Sequence, residues 1–166
     1  MQEEIEPEKI LGVIDNAQFP AEENKPVYSL VFTSERVIAT LLAAESESLL
    51  RLAVIDGIDG IGHLPDPRFR FKNMVKNVAD ESHRLLSVDP ITILSTHKGS
   101  FALPYSQIRR IKLKRGGFMS RPYIKLYTYE KKYLFMLLRN LGKSINKQVF
   151  LDYTNILEST GIRELY

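Results

Sequence analysis

The chain has 166 residues, 44% hydrophobic and 26% charged, a balance that fits one globular domain, or one with an insertion, and excludes wholesale disorder. Cysteine is absent, which excludes a disulfide framework, a thiolate nucleophile and every zinc or iron–sulfur site that uses cysteine. The net charge of +3 hides an asymmetry: residues 1–35 carry 2 Lys/Arg against 8 Asp/Glu, residues 36–97 carry 7 against 8, and residues 98–166 carry 14 against 4.

The first zone, from about Lys9 to Ala43, reads as strands. Ile10–Ile14 is a short apolar run ended by Asp15-Asn16. Val27–Thr33 and Arg36–Leu42 are rich in β-branched and aromatic residues, and Thr33-Ser34-Glu35 between them has turn chemistry, so the two form a hairpin. Both runs are apolar at nearly every position, the pattern of strands covered on more than one face. Pro20 and Pro26 bound a polar loop.

The period changes over about 45–89. Ser46 can cap a short helix with apolar positions Leu49, Leu50, Ala53 and Val54, ended by Gly57. After a glycine-rich connection, Asp66-Pro67 starts a second helix. Its stripe is Phe71, Met74, Val75, Val78, Ala79, Leu85 and Leu86, with Lys72, Lys76, Asp80, Glu81 and Arg84 off it. The zone is a two-helix insertion in a β fold.

Ile91–Leu94 is open to two readings: β-branching argues for a strand, whereas Asp89-Pro90 would cap a helical turn. Ser100–Leu103, Ile108–Lys114, Tyr123–Tyr129 and Lys132–Leu138 read as strands, with Gly116-Gly117 and Glu130-Lys131 as turns. A final helix starts near Ser144, places Ile145, Val149, Phe150, Tyr153, Ile156 and Leu157 on one face, and ends at Gly161. About seven strands and one amphipathic helix bury their apolar faces most economically as a bent, half-open barrel plugged by that helix, an α+β fold in one domain spanning 1–166.

Two stretches carry a resemblance. Leu30–Ile38 contains Thr33-Ser34-Glu35-Arg36 between apolar runs, and Phe101–Ile108 contains Leu103-Pro104-Tyr105-Ser106-Gln107-Ile108. Both are similar to motifs of the pleckstrin-homology-like superfamily, especially its bacterial, archaeal and GRAM-type branches. The resemblance covers roughly 9–43 and 98–160. It implies a PH-like half-open barrel with a C-terminal helical cap, and a binding or scaffolding role toward lipid or protein. The zone 45–97 departs from the pattern.

No catalytic, cofactor or metal residue is assigned. His63, His83 and His97 lie far apart, and His83 falls on the solvated side of its helix. Asp56, Asp59, His63 and Asp66 lack the alternate-residue spacing of a calcium loop. Gly57, Gly60 and Gly62 do not form a dinucleotide fingerprint, and no Gly-x-Ser-x-Gly elbow occurs.

The strongest constellation is 108–132. Strand alternation puts Ile111 and Leu113 on one face and Arg110, Lys112 and Lys114 on the other; on the next strand Ile124 and Leu126 point in, and Tyr123, Lys125, Tyr127 and Tyr129 point out. The connection adds Arg115, Phe118, Met119 and Arg121 at its tip. Such a face can hold an anionic membrane, with Phe118 and Met119 entering the interface, or single-stranded nucleic acid by phosphate contact and base stacking. It can equally be a structural sheet, whose tyrosines cover hydrophobic gaps, whose lysines keep it soluble and whose Phe118 and Met119 pack against the insertion, in a domain that contacts only a protein partner or a second copy of the chain. No apolar run reaches the roughly 18–20 residues of a membrane span, and the acidic N-terminus lacks the order of a secretory signal. The expected location is therefore the cytoplasm, with peripheral membrane association if the face binds lipid.

Overall fold

The computed structural model describes residues 7–21, 26–43, 76, 80–117, 120–138 and 145–162. Seven strands, β1 (Ile10–Gln18), β2 (Val27–Thr33), β3 (Arg36–Ala43), β4 (Phe101–Pro104), β5 (Ile108–Lys114), β6 (Tyr123–Thr128) and β7 (Lys132–Leu137), form one antiparallel sheet in the order β4-β3-β2-β1-β7-β6-β5. Helix α1 is Pro90–Thr96 and helix α2 is Lys147–Ser159.

The sheet is strongly bent, and two observations show it. Its outermost strands, β4 and β5, are joined by a single 3₁₀ turn, Tyr105–Gln107, and three residues span at most roughly 11 Å. Phe101 on β4 also stacks on Tyr133 of β7 at 5.5 Å, although three strands lie between them in the sheet order. The inner faces therefore meet around Ile14, Leu30, Phe32, Ile111, Ile124, Leu126 and Phe135, all fully buried. Helix α2 lays Tyr153 and Leu157 onto this core, with Val149, Phe150 and Ile156 partly buried beside them. The architecture is a bent, half-open seven-stranded barrel capped by a C-terminal helix, the α+β arrangement expected from the sequence.

Close packing of the cap against β1 depends on Gly12. A Cβ there would stand 2.5 Å from Ile156 Cγ1, so only glycine lets that side chain settle on the strand. The cap helix begins at Asn146, whose Oδ1 accepts from Val149 N at 2.8 Å. This corrects the expected start at Ser144, which lies outside the described residues; asparagine satisfies the orphan N–H groups as well as serine does. At the far end Gly161, with φ 73°, ends the helix as expected.

The outer face of β2 and β3 is covered as well. Val31 and Ile38 pack against Leu85 and Ile93 in a second buried cluster, which explains why every residue of β2 is buried. Residues 80–85 are helical, and the Ser82 hydroxyl hydrogen-bonds that of Ser29. Ile91–Leu94 is helical, because Asp89 Oδ2 accepts from Ile91 N at 3.0 Å and Thr92 N at 3.1 Å, and Pro90 opens the first turn. Only Pro90 and Ile93 of α1 are buried, so β-branching at 91 and 92 meets solvent and does not decide the conformation. The expected helical stripe fails at Leu86, which is 49% exposed because the helical run stops at 85 and the chain turns. The first inserted helix, and the second as far as Ala79 apart from the exposed Lys76, lie outside the described residues.

Candidate anion-binding face

The β5–β6 ladder pairs Arg110 with Tyr127, Ile111 with Leu126, Lys112 with Lys125, Leu113 with Ile124 and Lys114 with Tyr123. Ile111, Ile124 and Leu126 are fully buried. The alternating partners Arg110, Lys112, Lys114, Tyr123, Lys125 and Tyr127 therefore stand together on the outer face. The β6–β7 ladder extends that face by one strand, setting Lys132 against Tyr127, Leu134 against Lys125 and Met136 against Tyr123.

Tyr127 is the centre of the charge cluster. The guanidinium carbon of Arg110 lies 4.3 Å from its ring centroid, Lys125 Nζ 5.3 Å and Lys132 Nζ 5.9 Å. Lys114 stands 6.0 Å from the Tyr123 ring. Desolvation pushes the Tyr127 phenol up, but hydrogen bonding from Arg110 and the charges of Lys125, Arg110 and Lys112 outweigh it and hold the group below the usual tyrosine range. Two further cation–ring pairs lie at the strand ends: Arg109 is 5.6 Å from the ring of Tyr129, and Lys131 is 4.7 Å from that of the inward-facing Tyr133.

Lys112 and Lys125 are direct cross-strand neighbours, and like charges in that position repel. Among the described residues no salt bridge involves Arg110, Lys112, Lys114, Lys125 or Lys132; the ion pairs there are Arg36–Glu8 and Arg84–Glu81. Among the described residues the face is a field of one sign without a compensating ion pair.

The connection after β5 divides. Gly116 has φ 82°, and a Cβ there would stand 2.8 Å from Pro122 N, so the turn needs glycine. Gly117 and Ser120 then pair across it, and Arg121 is exposed. Arg115 Nε donates to the Ile145 carbonyl at 2.8 Å, and Ile145 N donates back to the Arg115 carbonyl at 3.0 Å. Arg115 thus ties β5 to the lead-in of the cap helix. Phe118 and Met119 lie outside the described residues.

Sequence reasoning passed over Lys132, Leu134 and Met136. The run Tyr133–Leu138 is apolar at every position, so alternation could not assign its faces. Only pairing with β6 does so.

The two resemblance motifs have a structural part. Thr33 Oγ1 accepts from Arg36 N at 3.0 Å and from Glu35 N at 3.2 Å, closing the β2–β3 turn. Arg36 Nε donates to Glu8 Oε1 at 2.9 Å. Tyr105 N donates to the Glu35 carbonyl at 3.1 Å, and the Tyr105 hydroxyl donates to that of Thr33 at 2.7 Å. Burial raises the Tyr105 phenol above its ordinary range, so it stays protonated and remains a donor.

His83 is exposed, and His97 N donates to the Ile93 carbonyl at the end of α1. Asp56, Asp59, His63, Asp66 and the three glycines among them lie outside the described residues. Among the described residues no three His, Asp or Glu side chains gather as a metal-holding group, and no helix is long and apolar enough to cross a membrane.

No protein-family model matches the chain, and no curated protein matches it. Among solved structures it is similar to the Vps36 N-terminal PH domain, with a TM-score of 0.43 and 10% sequence identity, over 93% of this chain and 81% of that one. A likeness of that degree says nothing about ligands.

Proposed function

We propose that the chain is a single-domain, non-catalytic binding module whose outer β5–β6–β7 face docks onto an anionic membrane surface. The contact residues are Arg110, Lys112, Lys114, Tyr123, Lys125 and Tyr127, with Arg115, Phe118, Met119 and Arg121 of the connection after β5 included from the sequence. Lys132, Leu134 and Met136 extend it.

The observation that carries this reading is the Lys112–Lys125 pair, placed directly opposite with no carboxylate beside it among the described residues. Such a pair opposes folding locally, and an external anion relieves it. Leu134 and Met136 are partly exposed on the same face, so the surface combines headgroup-binding charges with apolar side chains able to meet the interface.

Single-stranded nucleic acid is the second reading, and the tyrosines are what favour it. The ring of Tyr127 is already engaged by Arg110 at 4.3 Å, so a base would have to displace that guanidinium in order to stack. The charged face is better used against headgroups.

The test is equilibrium binding to phosphatidylcholine vesicles with and without phosphatidylserine, and to oligo-deoxythymidine, each over a salt series. The membrane reading expects binding that requires phosphatidylserine and weakens with salt. Tighter, salt-steep binding to the oligonucleotide would transfer the face to nucleic acid. Binding to neither would leave it as a protein contact or an interface between copies.

A further inference from the structure

A groove of about 460 Å³ runs over β1 between α2 and the helical residues 80–85, on elements other than the three strands of the basic face. Its floor is Leu11, Gly12 and Val13, and Val149 and Ile156 form the α2 wall. Leu86 lines the other wall and is 49% exposed, an aliphatic side chain left at the rim of an apolar groove.

The charge in this groove is opposite to that of the β5–β6 face. Asp15 and Asp152 line it, and among the described residues no lysine or arginine does. Ser82 and His83 supply the remaining polar lining beside Tyr153. Asp15 is turned there by a bulge: the β1–β2 register shifts between Ile14 and Ala17, and Asn16 adopts a φ of 54°. The Tyr153 hydroxyl then donates to Asp15 Oδ1 at 2.8 Å and fixes the carboxylate in place. Asp152 stands exposed on α2, its Oδ1 accepting from Gln148 Nε2 at 2.9 Å, and no salt bridge neutralises it among the described residues.

We infer that this groove docks a basic amphipathic segment of a partner protein, with aliphatic side chains laid on Leu11, Val13, Val149 and Ile156 and a lysine or arginine paired with Asp152. Charge complementarity selects the occupant. An acidic segment would be repelled by the exposed Asp152 carboxylate, and a purely apolar one would offer it no counter-charge. A half-open apolar floor bounded by two helices suits side-chain anchors better than an enclosed small molecule. The inference stands independently of the membrane reading.

The test is amide chemical-shift mapping on the whole chain with two probes, a short capped peptide of leucines and lysines and its leucine–glutamate counterpart. The lysine peptide is expected to move the amides of Gly12, Ser82 and Asp152, and the glutamate peptide to leave them in place. Asp152→Lys is expected to weaken the lysine peptide by about tenfold. Leu86→Gln, at an exposed position, weakens it through lost apolar contact and serves as a second variant should Asp152→Lys fail to fold. Equal shifts from both peptides, no shift at Gly12 and Ser82, or unchanged affinity in a folded Asp152→Lys chain would overturn the proposal.

Discussion

The Tyr105 hydroxyl donates to the Thr33 carbonyl at 2.7 Å, joining the β4–β5 connection to the β2–β3 turn across 72 residues of sequence. Through Thr33 the same site includes Arg36 and Glu8. The most recognisable residues of the chain thus act as a clasp holding one end of the barrel. Tyr105→Phe should destabilise the fold by about 1 kcal/mol, the net worth of one hydrogen bond. Urea denaturation reads that loss, and binding to anionic vesicles should not change.

Glu8 gives the clasp a pH signature. The Arg36 guanidinium bonded to it holds its carboxyl below the ordinary value of 4.5; burial opposes this, and the Thr33 hydroxyl adds to the lowering. A depressed folded pKa contributes stability above the unfolded value and loses it as pH falls through the folded one. Glu8→Gln should therefore be less stable than the parent by about 1 kcal/mol at pH 7. The two curves should converge only as pH falls through the lowered folded value, beneath which the parent carboxyl also becomes neutral. A gap that persisted at low pH would assign Glu8 a packing role instead of an ionic one.

The cap helix should respond unequally along its stripe. Leu157 is 1% exposed, so Leu157→Ala should cost about 2–5 kcal/mol. Phe150 is only half-buried, and Phe150→Ala should cost less, about 1–2 kcal/mol. Leu85→Ala, in the outer cluster with Val31 and Ile38, should cost about 2–4 kcal/mol. Thermal or denaturant midpoints check all three. A negligible effect at Leu85 would show that the layer over β2 and β3 is separable from the barrel.

Much of this was legible because charge and apolarity alternate cleanly in two strands. Ile111 and Leu113 against Arg110, Lys112 and Lys114, and Ile124 and Leu126 against Tyr123, Lys125 and Tyr127, fix the hairpin's inner and outer faces without coordinates. The third strand of the face was not legible, since Tyr133–Leu138 satisfies either parity. A local signal misled at the cap helix, where Asn146 caps although Ser144 was expected, and at Ile91–Leu94, which the sequence leaves open, Asp89-Pro90 decides for helix over β-branching at Ile91 and Thr92. The groove was invisible, because Leu11, Ser82 and Asp152 lie on three elements that only tertiary packing brings together.

Opposed lysines make stability and binding pull in different directions. Lys125→Glu places an anion opposite Lys112 and should stabilise the fold by about 0.2–1 kcal/mol. The same change should weaken binding to phosphatidylserine vesicles. A variant that lost stability and kept its binding would contradict both halves of the expectation.

The central claim is that one outer face of the barrel carries the binding. The most direct measurement is co-sedimentation with phosphatidylserine vesicles of the parent chain and of the combined Lys112→Glu, Lys114→Glu and Lys125→Glu variant, with melting followed in parallel. Surface charges act weakly one at a time, so the combined reversal is the decisive comparison. Binding should fall to background while the melting temperature stays within about 3 °C, because all three side chains point away from the core. Undiminished sedimentation of the folded variant would contradict the account.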